Sequence, residues 1–431
     1  MKLPAKSVKT DFDIKDFYAV KVGVLWKAFK VESPAFWWLC IYFFLEYIRP
    51  ASLYPILDFL PWTQLALIFA LIAAINDKNV KWVSSNGNIL LILFYLMVVL
   101  SGVFAFQPSL SFDKINIVIN WIVVYFLFIC IVNTEKKFFM FLLLFLIVNF
   151  KMSQHGFVSF ASRGFAYANW GVSGAPGWFQ DSGDFGIAML IFSGAVISFT
   201  LALRKYWGRY KKLFFYFMAI TGLVTIIATS SRGAQLGMVG MGVWVLLKSR
   251  LGIKALLGIV LIGSLLYVLL PEEMFEEYQT AGDDGTSQDR LAHWDFGIDV
   301  ALENPLLGIG YENWLTYCNF MNPNGLGYKS TCRLPHNTYV SAAAETGLVS
   351  LALYILLALY MFNQNAKSRR NAKNSGNTFI YHVSHGLDAG LFGYLIASIF
   401  FTVLFYPLFW VQLAMVVALN NVSKKLEVKF I

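Results

Sequence analysis

Residues 183–203 read GDFGIAMLIFSGAVISFTLAL, and this stretch decides the fold. Its one charge, Asp184, stands at the second position, and as a helix it would cover about 30 Å, the thickness of a bilayer's hydrocarbon core. The next nine residues, RKYWGRYKK at 204–212, carry five basic side chains. An apolar run of bilayer length that ends in a basic cluster is the pattern of a helix delivered to the cytoplasmic face of a membrane.

The same pattern recurs along the chain. Apolar runs predict spans at 34–49, 58–75, 88–106, 115–132, 138–152, 183–203, 213–229, 232–248, 253–270, 338–362, 386–402 and 403–420. Of the 431 residues 58% are hydrophobic, with 40 Phe, 21 Tyr and 13 Trp, more apolar surface than a soluble domain of this length needs. The reading is an all-α polytopic membrane protein of about 12 transmembrane helices. A basic cytoplasmic segment over 1–33 precedes nine helices over 34–270, with an outer Gly- and aromatic-rich loop at 153–182. A large outer loop follows over 271–337, then three helices over 338–420 and a tail at 421–431.

Net charge is +9, and its distribution carries the information. With the N-terminus in the cytoplasm and the spans alternating, 26 of the 34 Lys and Arg fall on cytoplasmic segments. The basic balance is therefore a topology signal that places both termini in the cytoplasm, and no nucleic-acid partner is expected. No cleavable signal peptide is expected, because the first thirty residues are too polar for an h-region. FYAVKVGVLWKAFKV, at 17–31, reads either as a helix on the inner membrane surface or as an unstructured tail.

Cys40 and Cys130 fall inside spans as packing residues, whereas Cys318 and Cys332 share the large outer loop, where an oxidising compartment would join them in a disulfide. No Cys/His spacing resembles a metal site, and no metal or cofactor is expected. DFD at 11–13 lies in a Lys-rich tail, and Glu273 and Glu277 read as a solvated interfacial face. No nucleophile motif is present.

The outer face holds the remaining polar chemistry. Residues 271–337 carry eleven acidic side chains, and RLAHWDFGIDVALEN has apolar residues at helical spacing (Leu291, Trp294, Ile298, Ala301, Leu302) before a stop at Asn304-Pro305. Arg232 opens a span with small neighbours around it. An ionisable group there marks a functional site, or else the side chain snorkels to the headgroups. Arg290 begins the amphipathic helix, where a cation is disfavoured unless an anionic ligand, or Asp283, Asp284 or Asp289, offsets it. His336 closes the loop, as a proton acceptor for a hydroxyl or simply as a helix cap. Two arginines and a histidine on one face suit a lipid pyrophosphate: planar guanidinium forks hold the phosphates and stabilise the departing charge, and the histidine orients or activates an incoming hydroxyl.

SSRG at 230–233, RLAHWDFGIDVALENPLLGIGYENW at 290–314 and PHNTYVSAAAETGLVS at 335–350 together resemble the O-antigen ligase and polymerase superfamily of bacterial membrane proteins. FLEYIRPASLYP at 44–55 and SGAPGWFQDSGDFG at 173–186 look more narrowly like its exosortase-associated O-glycosylation ligases. The resemblance implies a metal-independent, inverting glycosyltransferase of the GT-C type in the bacterial inner membrane. It would move a glycan from undecaprenyl pyrophosphate to a hydroxyl of lipid A core or of a protein at the periplasmic face, among membrane lipids. It implies pyrophosphate binding by Arg232 and Arg290 and a catalytic role for His336. Arg163, Gln180, Asp181, Asp184, Asn337 and Glu345 are further candidates, the last two read equally well as a cap and a packing residue. A polysaccharide polymerase shares the donor site, and a flippase of lipid-linked glycan is the reading from a different class. Product length separates the first two, and lipid movement without sugar transfer identifies the third.

Overall fold

The computed structural model describes residues 12–166, 171–248, 285–327 and 332–428. The predicted span 253–270, Glu273, Glu277, Asp283, Asp284 and the first residue of the DFD motif lie outside the described residues.

Among the described residues all regular structure is helical. In chain order the helices are α1 (Ile14–Tyr18), α2 (Val22–Lys30), α3 (Pro34–Ile48), α4 (Pro50–Leu53), α5 (Trp62–Asn76), α6 (Asn86–Val103), α7 (Pro108–Asp113), α8 (Ile115–Ile131) and α9 (Glu135–Ser162). Then follow α10 (Ser182–Leu203), α11 (Arg209–Ala228), α12 (Arg232–Lys248), α13 (Gly285–Glu303), α14 (Trp314–Met321), α15 (Thr338–Asn374), α16 (Thr378–Ala397) and α17 (Pro407–Val428). Six helical segments among the described residues are long and apolar enough to cross a membrane, and α5 and α8 are shorter apolar helices. The chain is a multi-pass helical membrane protein.

The 183–203 stretch forms α10, the centre of the bundle, buried on nearly every side. It packs on α16, α11, α12 and α9. Glycines permit the tightest crossing: a Cβ on Gly194 would lie 2.5 Å from the Gly386 carbonyl oxygen and 2.9 Å from the Gly390 nitrogen. Without an aqueous driving force between helices, such close backbone approach supplies the van der Waals contact that holds them together. Gly237 on α12 meets Gly393 in the same way.

Three elements depart from the apolar runs, each for a local reason. Helix α9 continues to Ser162, ten residues past the run at 138–152 and into the stretch expected as loop. Its polar turns are satisfied inside the bundle: Ser153 Oγ pairs with Thr221 Oγ1 at 2.9 Å, and Thr225 donates to the Ser153 carbonyl at 2.8 Å. Helix α15 runs on to Asn374, so that the basic stretch 367–373 is helical. The abutting runs 386–402 and 403–420 become α16 and α17 with non-helical chain at 401–406 between them. Pro407 at the first position of α17 disfavours helix in the residue before it.

Residues 12–31 dock at the end of the bundle opposite His336. The Tyr18 hydroxyl donates to Glu135. The Trp207 indole donates to the Tyr18 carbonyl at 2.7 Å, and Lys211 Nζ donates to the Ala19 carbonyl at 2.8 Å. Helix α2 forms with Val22 and Trp26 exposed, so 17–31 is no unstructured tail.

Candidate functional site

The segment that presents His336 is held by three side chains. Arg333 N–H donates to His293 Nε2 at 3.0 Å, the Trp314 indole to the Arg333 carbonyl at 2.6 Å, and the Trp294 indole to the Pro335 carbonyl at 2.7 Å. His293 is buried, and its Nδ1 bonds the Asp289 carbonyl at 2.6 Å. Nε2 accepts, so Nδ1 must be the donor, and the ring is a neutral hydrogen-bonded strut. Cys318 and Cys332 form a disulfide with Cα atoms 6.0 Å apart, joining α14 to the same segment. The His293 ring lies within 4.8 Å of both sulfurs, but with its nitrogens and both thiols engaged this trio is a crosslink.

His336 itself adopts a left-handed backbone, φ 48°, which costs a residue with a Cβ about 1–2 kcal/mol. Asn337 then caps α15, its Oδ1 accepting from Tyr339 N–H at 3.0 Å and Val340 N–H at 3.1 Å. Arg49, Ser230 and Glu312 also have positive φ. Those three lie on segments around this end of the bundle, whereas Val20, also at positive φ, lies at the other end.

Below the segment, the turn Asn304–Gly310 inserts into a break in α15. Gly347 there has φ 86°, which interrupts the helical hydrogen bonding. Ile309 N–H donates to the Ala344 carbonyl and Gly310 N–H to the Glu345 carbonyl, both at 2.9 Å, and Leu348 N–H donates to the Pro305 carbonyl at 2.8 Å. Thus NPLLGIG and ETG, far apart in sequence, are two halves of one joint. The Glu345 carboxylate accepts from Trp314 N–H at 3.0 Å and so caps α14.

Helix α13 packs on α15 through Asp289, His293, Gly297, Val300 and Ala301. Of the apolar set at helical spacing, Ala301 is buried, while Leu291, Ile298 and Leu302 are exposed. Small and hydrogen-bonding residues are what a close crossing beside the 333–335 segment requires, and the leucine stripe turns outward beside Asp295 and Asp299.

The other wall is the start of α10 and the 401–406 break. Asp181 caps α10, accepting from Gly183 N–H at 2.8 Å, and Asp184 accepts from the Tyr406 hydroxyl at 3.0 Å. Thr338, in the first turn of α15, donates to the Phe401 carbonyl at 2.5 Å. Gly233, the residue after Arg232, abuts Phe400 and Phe401, and the Phe400 ring lies 6.3 Å from Trp294. These contacts place the starts of α10, α12 and α15 and the first turns of α13 at one end of the bundle. Arg232 and Arg290 are half-buried there. Arg163, at the C-cap of α9, and Gln180 are both exposed, and among the described residues none of these contacts reaches them.

The electrostatics centre on His336. Burial, reinforced by the Arg290 charge, drives its pKa from 6.5 down to about 4; Asp181 pulls it up, and Arg333 pushes it further down. The imidazole is therefore neutral at pH 7 in a locally positive field. Sequence reasoning missed His293, Trp294, Trp178, Glu46, Arg49 and Tyr406. His293 and Trp294 stand three and four residues after Arg290, one turn along the same helix, which is the signal that could have found them.

Among the described residues, a helical membrane bundle gathers two arginines and a neutral histidine at one end. Residues 217–355, about a third of the chain, match the family model described as O-antigen ligase, which supports the resemblance to the O-antigen ligase and polymerase superfamily. The match runs from α11 through α12 and α13 into α15, and so contains Arg232, Arg290, His336 and the Gly347 joint. No curated protein matches the chain.

Proposed function

We propose that this protein is an O-antigen ligase-type glycosyltransferase that moves a glycan from undecaprenyl pyrophosphate to a hydroxyl of lipid A core or of a protein. The observation that carries the reading is the His336 field: a neutral imidazole beside Arg290, at the end of the bundle where α12 presents Arg232. The two guanidinium groups hold the pyrophosphate and stabilise its charge as the anomeric C–O bond breaks, without a metal. The acceptor hydroxyl attacks the opposite face of the anomeric carbon, which inverts it, and its proton passes to His336. An imidazole of pKa near 4 is a weak base. A bound pyrophosphate offsets the arginine part of that depression and raises its proton affinity, while burial still holds it down.

The site faces the periplasm of a bacterial inner membrane in this reading. Supporting it, the end of the bundle where Tyr18 docks also carries Lys137, Lys205, Arg209 and Lys211, the side that positive charge marks as cytoplasmic.

The test uses purified protein, a lipid-pyrophosphate-linked glycan, and lipid A core or a candidate acceptor protein, with EDTA present. A mass shift on the acceptor with wild type and none with His336→Ala is the expected result. Elongation of the donor glycan instead would make the protein a polymerase. Lipid movement between leaflets without sugar transfer would remove the enzyme reading.

A further inference from the structure

Near the arginine and histidine group lies a cavity that the proposed chemistry leaves unused. A cleft of about 650 Å³ opens between the turn after α3, the start of α5 and the start of α8, lined in part by Arg49, Trp62, Gln64, Asn116, Asn120 and Trp178. Trp178 joins it to the candidate site. Its indole N–H donates to Glu46 at 2.5 Å, the Arg49 guanidinium stands 5.4 Å from its ring centre, and the Tyr406 ring lies 4.9 Å away. Tyr406 in turn donates to Asp184 at the start of α10. The cleft thus adjoins the site through two aromatic rings, and neither Arg232 nor Arg290 lines it.

The lining specifies what the cleft would hold. Three side-chain amides offer donors and acceptors together, as sugar hydroxyls do. Two indoles supply apolar ring surface for the C–H faces of a pyranose. One arginine stands against two carboxylates, Glu46 and Asp58, so no excess positive charge recruits a phosphate. The volume falls within the range of small-ligand sites, about 300–1,000 Å³.

We infer that this cleft is a carbohydrate subsite, which takes an uncharged pyranose unit of the donor glycan or of the acceptor and aligns that chain with the Asp184 and His336 side of the site. The inference rests on the glycan-transfer reading, but the binding itself can be measured without turnover.

Saturation-transfer NMR on the full chain in nanodiscs, with methyl glycosides and disaccharides of glucose, galactose and N-acetylglucosamine, provides the test. Farnesyl phosphate serves as a lipid competitor. The expected result is transfer to sugar ring protons in wild type, weakened roughly ten-fold by Trp62→Ala and by Asn120→Ala, the loss of one good contact. Asn116→Ala is a third variant should either of these fail to fold. Arg232→Ala should keep the sugar signal. No signal from any sugar in wild type, full signal in every folded cleft variant, or displacement by farnesyl phosphate would overturn the inference. In transfer assays, a raised KM for the acceptor alone assigns the subsite to the acceptor, and one for the donor alone to the donor glycan. If Arg232→Ala transfers normally while Trp62→Ala loses the sugar signal, the pyrophosphate reading falls and the subsite stands.

Discussion

The Trp294 indole donates to the Pro335 carbonyl at 2.7 Å, so a side chain four residues after Arg290 fixes the peptide immediately before His336. The arginine side and the histidine side of the site are thereby one rigid unit. Trp294→Phe keeps most of the ring and removes the donor. Kinetics should show kcat falling about 10- to 100-fold with KM little changed, because a small displacement of a positioned group costs on that order. A thermal midpoint close to wild type would confirm that the loss is positional; unchanged kcat would remove the strut role.

Proton uptake should accompany donor binding. Burial and the Arg290 charge hold the pKa of His336 at about 4, and an anion beside Arg290 raises it. At pH 5.5, calorimetry in buffers of different ionisation enthalpy should record a fractional proton taken up with the pyrophosphate lipid, and none in His336→Gln. The sign for stability follows from the same depression. Between pH 6.5 and 4 the unfolded chain binds the proton first, so His336 destabilises the fold as pH falls through that window. His336→Gln should flatten that part of the stability profile.

Arg232→Ala and Arg290→Ala should each lose most transfer with expression retained. Lysine at either position should rescue poorly, since a point charge cannot form the two-pronged contact of a guanidinium with phosphate. Full activity in both alanine variants would end the pyrophosphate assignment.

Gly347→Ala should damage the joint between α15 and the Asn304–Gly310 turn. The position has φ 86°, and a Cβ there would overlap the Leu306 carbonyl. Gly376, with φ 66° and open space around it, is the control. Thermal melts in detergent should show Gly376→Ala costing about 1 kcal/mol and Gly347→Ala clearly more. Equal midpoints would mean that the joint yields freely.

Replacing Cys318 and Cys332 together by serine opens a loop of 14 residues' separation. Chain entropy puts such a link near 3 kcal/mol, so the variant should melt earlier and, through the freed 332–335 segment, transfer more slowly. Free thiols in unreduced wild-type peptides would contradict the link.

The bundle was legible in the sequence because a membrane span leaves a one-dimensional trace. A helix satisfies its own backbone, so the apolar run and the flanking lysines suffice to find it, as at 183–203 and 232–248. Arg232 stands out in the sequence for a related reason, since charge among apolar residues is costly; Arg290 stands out as a cation at a helix N-terminus, and His336 as the titratable residue that closes the outer loop. Polar residues that pair across the bundle left no such trace. Ser153 is satisfied by Thr221, a partner 68 residues away, so the end of α9 could not be read from its own stretch.

The sequence by itself thus determined an all-helical membrane protein and which charged residues were out of place in it, because burial of apolar length and the cost of stray charge are properties of local composition. Tertiary structure decided which groups meet. It turned the leucine stripe of α13 outward, made His293 and Trp294 the struts of His336, and set the 401–406 break beside α10. Those outcomes depend on which backbone groups find hydrogen-bond partners across large separations in the chain, such as Leu348 with Pro305 and Thr338 with Phe401. No local pattern encodes such pairings.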